Sequence, residues 1–405
     1  MSRFLRSPDE EQRATTLELF FDLVFVFAVT QLSLSLVDDL TWGGAVETLF
    51  LLLVVWWAWI YTTWMTNWFD PDSPVVRSVL IAVMLASLLM AIAIPEAFGS
   101  RAVLFASSYV ALQVVRNVFA ALGSPAGSPL RASMTGILAW SLAVAPFWIA
   151  GAFLEGGARW AVWLVALVID YAGPYAGYWL PVLGRTTTTD WRIDASHFAE
   201  RFQLFVIIAL GESIVVTGAT ASGLEIDLTR GLAIAVALLS SAALWWLYFD
   251  YVAAIAQRRL DLSDDPGRLA RDAYTYLHIP MIAGIIVAAV GDELVIAHPT
   301  ERLSGAELAT VAGGPALYLL GHVGFRLRLA GSLSRKRLAA AAASCAAGAL
   351  GTVLSALATA TLVLGILVAL IGAEIAAGLR RRARGEPSPL DRLVTQRGDR
   401  RSPQP

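Results

Sequence analysis

The chain has a single cysteine and four histidines in 405 residues, and one lysine among its 30 basic side chains. Cys345 alone closes no intrachain disulfide, and one Cys with four His cannot build a thiolate metal cluster within one chain. The sequence has no GxxxxGK[ST] phosphate loop, which argues against direct ATP hydrolysis. Charge is scarce: 15% of residues are charged, against roughly 25% in a typical soluble chain. So few charges do not cover a soluble globule that is 57% hydrophobic, with a mean hydropathy of +0.64. These shortages exclude an ordinary cytoplasmic enzyme, a disordered chain and a disulfide scaffold. The abundant residues are aromatic, with 14 Trp, 17 Phe and 10 Tyr, as suits membrane interfaces. The composition is that of a polytopic integral membrane protein.

A hydrocarbon core about 30 Å thick takes about 20 helical residues to cross. That ruler predicts twelve transmembrane helices, over 17–37, 44–66, 77–98, 101–122, 131–153, 159–183, 200–221, 228–256, 274–297, 306–330, 335–356 and 358–379. Backbone polar groups in lipid must bond internally, so the fold class is an all-α helix bundle. With the N-terminus placed inside, all basic residues but Arg101, Arg159, Arg230 and Arg302 fall on the cytoplasmic side. The positive-inside rule therefore predicts a multi-pass cell-membrane protein with both termini cytoplasmic. The sequence divides into a cytoplasmic segment 1–16, a first six-helix half 17–185, a linker 186–199, a second half 200–379 and a basic tail 380–405. Arg380–Arg384 reads as a topology determinant leading into a disordered tail, or as an attractor of anionic lipid.

The two halves echo each other at an offset near 180. Trp68-Phe69-Asp70 corresponds to Tyr248-Phe249-Asp250, and Trp56-Trp57 to Trp245-Trp246. Tyr109-x3-Gln113 corresponds, at the wider offset of 209, to Tyr318-x3-His322-x3-Arg326. Six spans per half is even, so the expected arrangement is two parallel repeats, as in many secondary transporters.

Charge inside a bilayer is costly, so each instance calls for an explanation. One group is expected near the cytoplasmic face: Glu18, Asp22, Asp70, Arg116, His197, Glu200, Arg201, Asp250, His278 and Arg326. Glu18 and Asp22 are four apart and share a helical face. The group reads either as an ion-pair layer locking helix ends or as a gate that breaks and reforms. Deeper lie Asp170 and Glu212. Gly211 before Glu212 is expected to allow close helix approach or a local break, and Gly173-Pro174 after Asp170 to open a polar pocket. A desolvated carboxylate with a raised pKa carries a proton, whereas a permanently protonated one only joins helices. Tyr318, His322 and Arg326 share a stripe at spacing four, with His322 expected either to relay protons or partner Glu212, or to be a structural hydrogen bonder. Gln113 joins Glu212, Asp170, His322 and Tyr318 as proton or substrate candidates. No metal site, cofactor, nucleic-acid partner or defensible nucleophile–base pair is expected.

With these residues in view, the chain resembles the bacterial low temperature requirement A family. The resemblance rests on Glu18-Leu19-Phe20-Phe21-Asp22 with Thr30-Gln31-Leu32, on Asn67-Trp68-Phe69-Asp70 and on Asp170-x3-Pro174. It continues with His197-Phe198-Ala199-Glu200-Arg201-Phe202, Leu210-Gly211-Glu212-Ser213 and Arg271-Asp272-Ala273-Tyr274 with His278-x-Pro280. The family name implies a part in growth at low temperature and brings no substrate or reaction. The residues themselves point to a proton-coupled secondary transporter or permease whose partners are the lipid bilayer, protons and a small solute. The competing class is a non-transporting scaffold, sensor or cold-growth stability factor.

Overall fold

The structure, a computed structural model, describes residues 4–6, 12–181, 184–191, 193–250, 252–388 and 391. Among these, twelve helices have 16 residues or more. They are α1 Thr16–Asp38, α2 Trp42–Trp68, α3 Pro74–Ala93, α4 Ala102–Gly123, α5 Pro129–Ala152 and α6 Gly156–Ala176. The rest are α7 Ala195–Ser222, α8 Leu228–Phe249, α9 Ile279–Ala297, α10 Gly305–Ala330, α11 Arg335–Leu350 and α12 Ala356–Ala383. Each falls where the 20-residue ruler places a span, and the protein is an all-α polytopic membrane bundle. Ten of the described helical stretches are long and apolar enough to cross a membrane. The two outside that set are α6, which carries Arg159 and Asp170, and α11, whose 16 residues reach only about 24 Å.

Local chemistry sets the helix ends. Thr15 and Glu18 form a capping box at the start of α1, and Ser304 and Glu307 form another at α10. Asp194 Oδ1 accepts the His197 amide at 2.8 Å, so α7 begins at Ala195, within the expected linker 186–199. The expected eighth span, 228–256, is instead α8 followed by a separate helix, Val252–Asp261. A π-helical turn, Ala270–Tyr276, precedes α9. The basic run at the C-terminus is not a tail from its first residue, because α12 continues through Arg380, Arg381 and Arg382. Most of the expected disordered tail, 392–405, lies outside the described residues.

The chain forms two compact units. The first comprises Met1–Arg201 with Asp265–Arg271, and the second Phe202–Asp264 with Asp272–Pro405. Within the first, α1 packs on α2 and α3, and α3, α4, α5 and α6 pack in succession. Its aromatic core joins Met65, Phe69 and Trp191 to Met134 and Tyr178. Within the second, α9 and α10 make the most extensive helix pair, followed by α10 with α11 and α8 with α12. Glycines make that closeness possible. A Cβ on Gly284 would lie 2.5 Å from the Tyr318 amide nitrogen, and one on Gly314 would lie 2.5 Å from that of Ala288.

Candidate functional site

The first unit holds a buried ion cluster built from two pairs of residues four apart. Glu18 and Asp22 lie on one face of α1, and His197 and Arg201 lie on one face of α7. Asp22 and Arg201 form a bidentate pair, with Nη1 2.8 Å from Oδ2 and Nη2 2.7 Å from Oδ1. Trp59 Nε1 donates to the same Asp22 Oδ1 at 2.9 Å. One step along, His197 Nε2 lies 2.8 Å from Glu18 Oε1, and Arg6 donates to Glu18 Oε2 at 3.0 Å. The neighbours fix the His197 tautomer. Asn67 presents Oδ1 to the Asp194 amide and Nδ2 to the Asp194 carbonyl. Its Nδ2 therefore also donates to His197 Nδ1, at 3.0 Å, which leaves the ring proton on Nε2 for the shorter contact to Glu18, while Arg6 Nη2 lies 3.1 Å from the same nitrogen and donates to Glu18. Two carboxylates and two guanidiniums balance, and Glu18, Asp22, His197 and Arg201 are all buried.

The expected ten-residue ionic layer is smaller than the sequence suggested. The structure joins Glu18, Asp22, His197 and Arg201 and adds Arg6, while Glu200 borders the group by accepting the Ala14 amide at 2.8 Å. Asp70 instead caps its own loop, accepting the Asp72 amide. Asp250 is exposed at the end of α8, and Arg326 is exposed with its Nε on Ser332. His278 is buried in the second unit, 2.9 Å from the Tyr248 hydroxyl. Arg116 is buried toward α2. Depth along a span sets level but not azimuth, so residues at one level need not meet.

Asp170 anchors a second constellation in the first unit. Its Oδ2 accepts Tyr109 Oη and Trp148 Nε1, each at 3.0 Å. Gln113 Nε2 donates to the Tyr109 hydroxyl at 2.9 Å, and Arg116 Nη2 donates to Gln113 Oε1. A chain thus runs from guanidinium to amide to phenol to carboxylate, on α4 and α6. Arg116 is itself held by neutral groups: the Ala58 carbonyl at 3.1 Å, Thr62 at 3.3 Å and Asn117 at 3.2 Å. The second Asp170 oxygen, Oδ1, accepts no hydrogen bond from the described residues. Asp170, Gln113, Ser141 and Trp148 line a cleft about the size of one water molecule. The α6 helix continues through Pro174 to Ala176, so proline opens no break there.

Glu212 is fully buried in α7. Gly211 has nothing within 4 Å of a built Cβ and the helix is continuous, so neither close approach nor a local break occurs at that glycine. The partner of His322 is Arg337, not Glu212: Arg337 Nη1 lies 2.7 Å from His322 Nδ1. Arg337 also grips Glu374 through two bonds of 3.0 Å. Tyr318 donates to the Leu244 carbonyl at 2.7 Å. Arg337 and Glu374 escape the sequence reading because a loop-side arginine looks like a topology signal. The legible hint was Glu374, an acid within an otherwise apolar last span.

An all-helical bundle of this size, with buried charged clusters inside its helices, defines a multi-pass membrane protein. The family model of the bacterial low temperature requirement A protein (LtrA) matches residues 13–372, and the chain belongs to that family. It is also similar to an uncharacterized protein of Rhizobium meliloti (strain 1021), 39% identical over 323 residues and 79% of each chain. No solved structure matches it.

Proposed function

We propose that the protein is a proton-coupled secondary transporter or permease of a small solute, in the cell membrane with both termini cytoplasmic and its halves as parallel repeats. The observation that supports this most is Asp170. One carboxylate oxygen is held by two neutral donors, the other accepts no hydrogen bond from the described residues, and Asp170 lines a water-sized cleft, so a proton adds to Oδ1 without breaking either bond. Arg116 lies two neutral links away and compensates the ionised form without pairing with it directly. A purely structural acid in lipid would gain more from a direct ion pair, as Asp22 has with Arg201. Glu212 remains a second proton candidate on the strength of its burial.

A second reading, a non-transporting scaffold or cold-growth stability factor, is favoured by the family's name alone. Purified protein in liposomes separates the two. The transporter reading expects proton flux that depends on at least one solute of a broad panel. Flux insensitive to every solute and to the pH gradient favours the scaffold.

A further inference from the structure

Arg337 of the second unit is placed differently from Arg116 of the first, and the difference assigns a task to His322. Arg337 is bonded directly to Glu374 and also donates Nη2 to the Leu247 carbonyl at 3.0 Å. Its Nη1 lies 2.7 Å from His322 Nδ1. A guanidinium only donates, so Nδ1 accepts and the ring proton is on Nε2. His322 is 1% exposed, and Nε2 meets no acceptor among the described residues. Gln113 is arranged alike in the first unit: its Oε1 accepts Arg116 and its Nε2 donates onward. Each of the two residues follows a tyrosine by four positions. In the first unit the donor ends on Tyr109 and so on Asp170. In the second, Tyr318 has turned its hydroxyl to the Leu244 carbonyl, and the His322 donor is left over.

We propose that His322 Nε2–H is a binding site for a guest oxygen atom, either a water or a carbonyl or hydroxyl of the carried solute, and not a proton relay. A buried N–H without an acceptor carries its full desolvation penalty, which a guest oxygen removes. The groups facing the ring are Arg337 from α11 with Glu374 of α12 behind it, Tyr248 of α8 at 5.7 Å and Tyr318 at 4.6 Å between ring centroids. His278 completes the set through the Tyr248 hydroxyl. A second proton on His322 would set Nδ1–H against Nη1–H of Arg337, so the ring stays neutral.

The solute alternative rests on the transporter reading, but the central test does not. Nitrogen-15 NMR of histidine-labelled protein in lipid, between about pH 5 and pH 8, should show His322 as one neutral tautomer with a hydrogen-bonded Nε2–H. A cross-peak from that proton to water assigns the guest as water, and its absence assigns another oxygen. Titration in this range, a proton on Nδ1, or an Nε2–H shifted as an unbonded donor overturns the proposal.

Discussion

Replacing Asp22 with alanine is expected to cost on the order of 3–5 kcal/mol and to lower the yield of folded protein. The reason is what remains: Arg201, fully buried, would keep its charge and lose both of its short bonds. Its Nε is 3.9 Å from Glu18, too far to replace them. Trp59 Nε1 would lose its acceptor as well. Removing the arginine too should restore part of the loss, because the double variant buries no unpaired charge at that point. Thermal unfolding of Asp22→Ala, Arg201→Ala and the double variant in one detergent measures this directly. An Asp22→Ala protein that melts like the wild type contradicts the structural role. One that folds normally but loses flux makes the cluster a gate.

The second large effect concerns the seam between α9 and α10. A Cβ on Gly314 would lie 2.5 Å from the Ala288 nitrogen and 2.8 Å from its Cα, and backbone cannot swing aside as a side chain does. Gly314→Ala should therefore force the helices apart. Overpacking of this kind costs about 1–3 kcal/mol in ordinary cores, and contact with the backbone of the facing helix puts this case at the upper end. The adjacent Gly313 is the control, since nothing lies within 4 Å of a Cβ built there. Gly313→Ala should leave the melting temperature near that of the wild type. Equal melting of the two variants would show that close approach at Gly314 is not needed.

The helices were legible because lipid leaves the backbone few options, and a length of about 20 apolar residues is a physical requirement. The division between α11 and α12 was less so, since Ala and Gly fill both sides of the turn after Leu350. Of the polar residues, Glu18 and Asp22 were readable as one face, and Asp170 as a costly acid needing partners. Their partners were not readable. Trp148 and Tyr109 reach Asp170 across 22 and 61 positions, and Arg337 reaches Glu374 across 37. Helical periodicity gives the direction of a side chain about its own axis and leaves open which helix it faces. Thus Tyr318 and His322 are buried while Arg326, the next residue of the expected stripe, is exposed. The glycine seam did have a signal: Gly284 and Gly291, and Gly314 and Gly321, are each seven apart, so each pair lies on one helical face.

The central claim is that Asp170 carries the coupled proton, and Asp170→Asn tests it most directly. The asparagine carbonyl oxygen can accept both Tyr109 and Trp148, so the bonds that hold the carboxylate survive while the titratable proton does not. Solute-dependent proton flux in liposomes, measured beside thermal unfolding, should show a variant that melts like the wild type and moves no protons. Wild-type flux in the Asn variant between about pH 5 and pH 8 would contradict the account and leave Asp170 a structural acid.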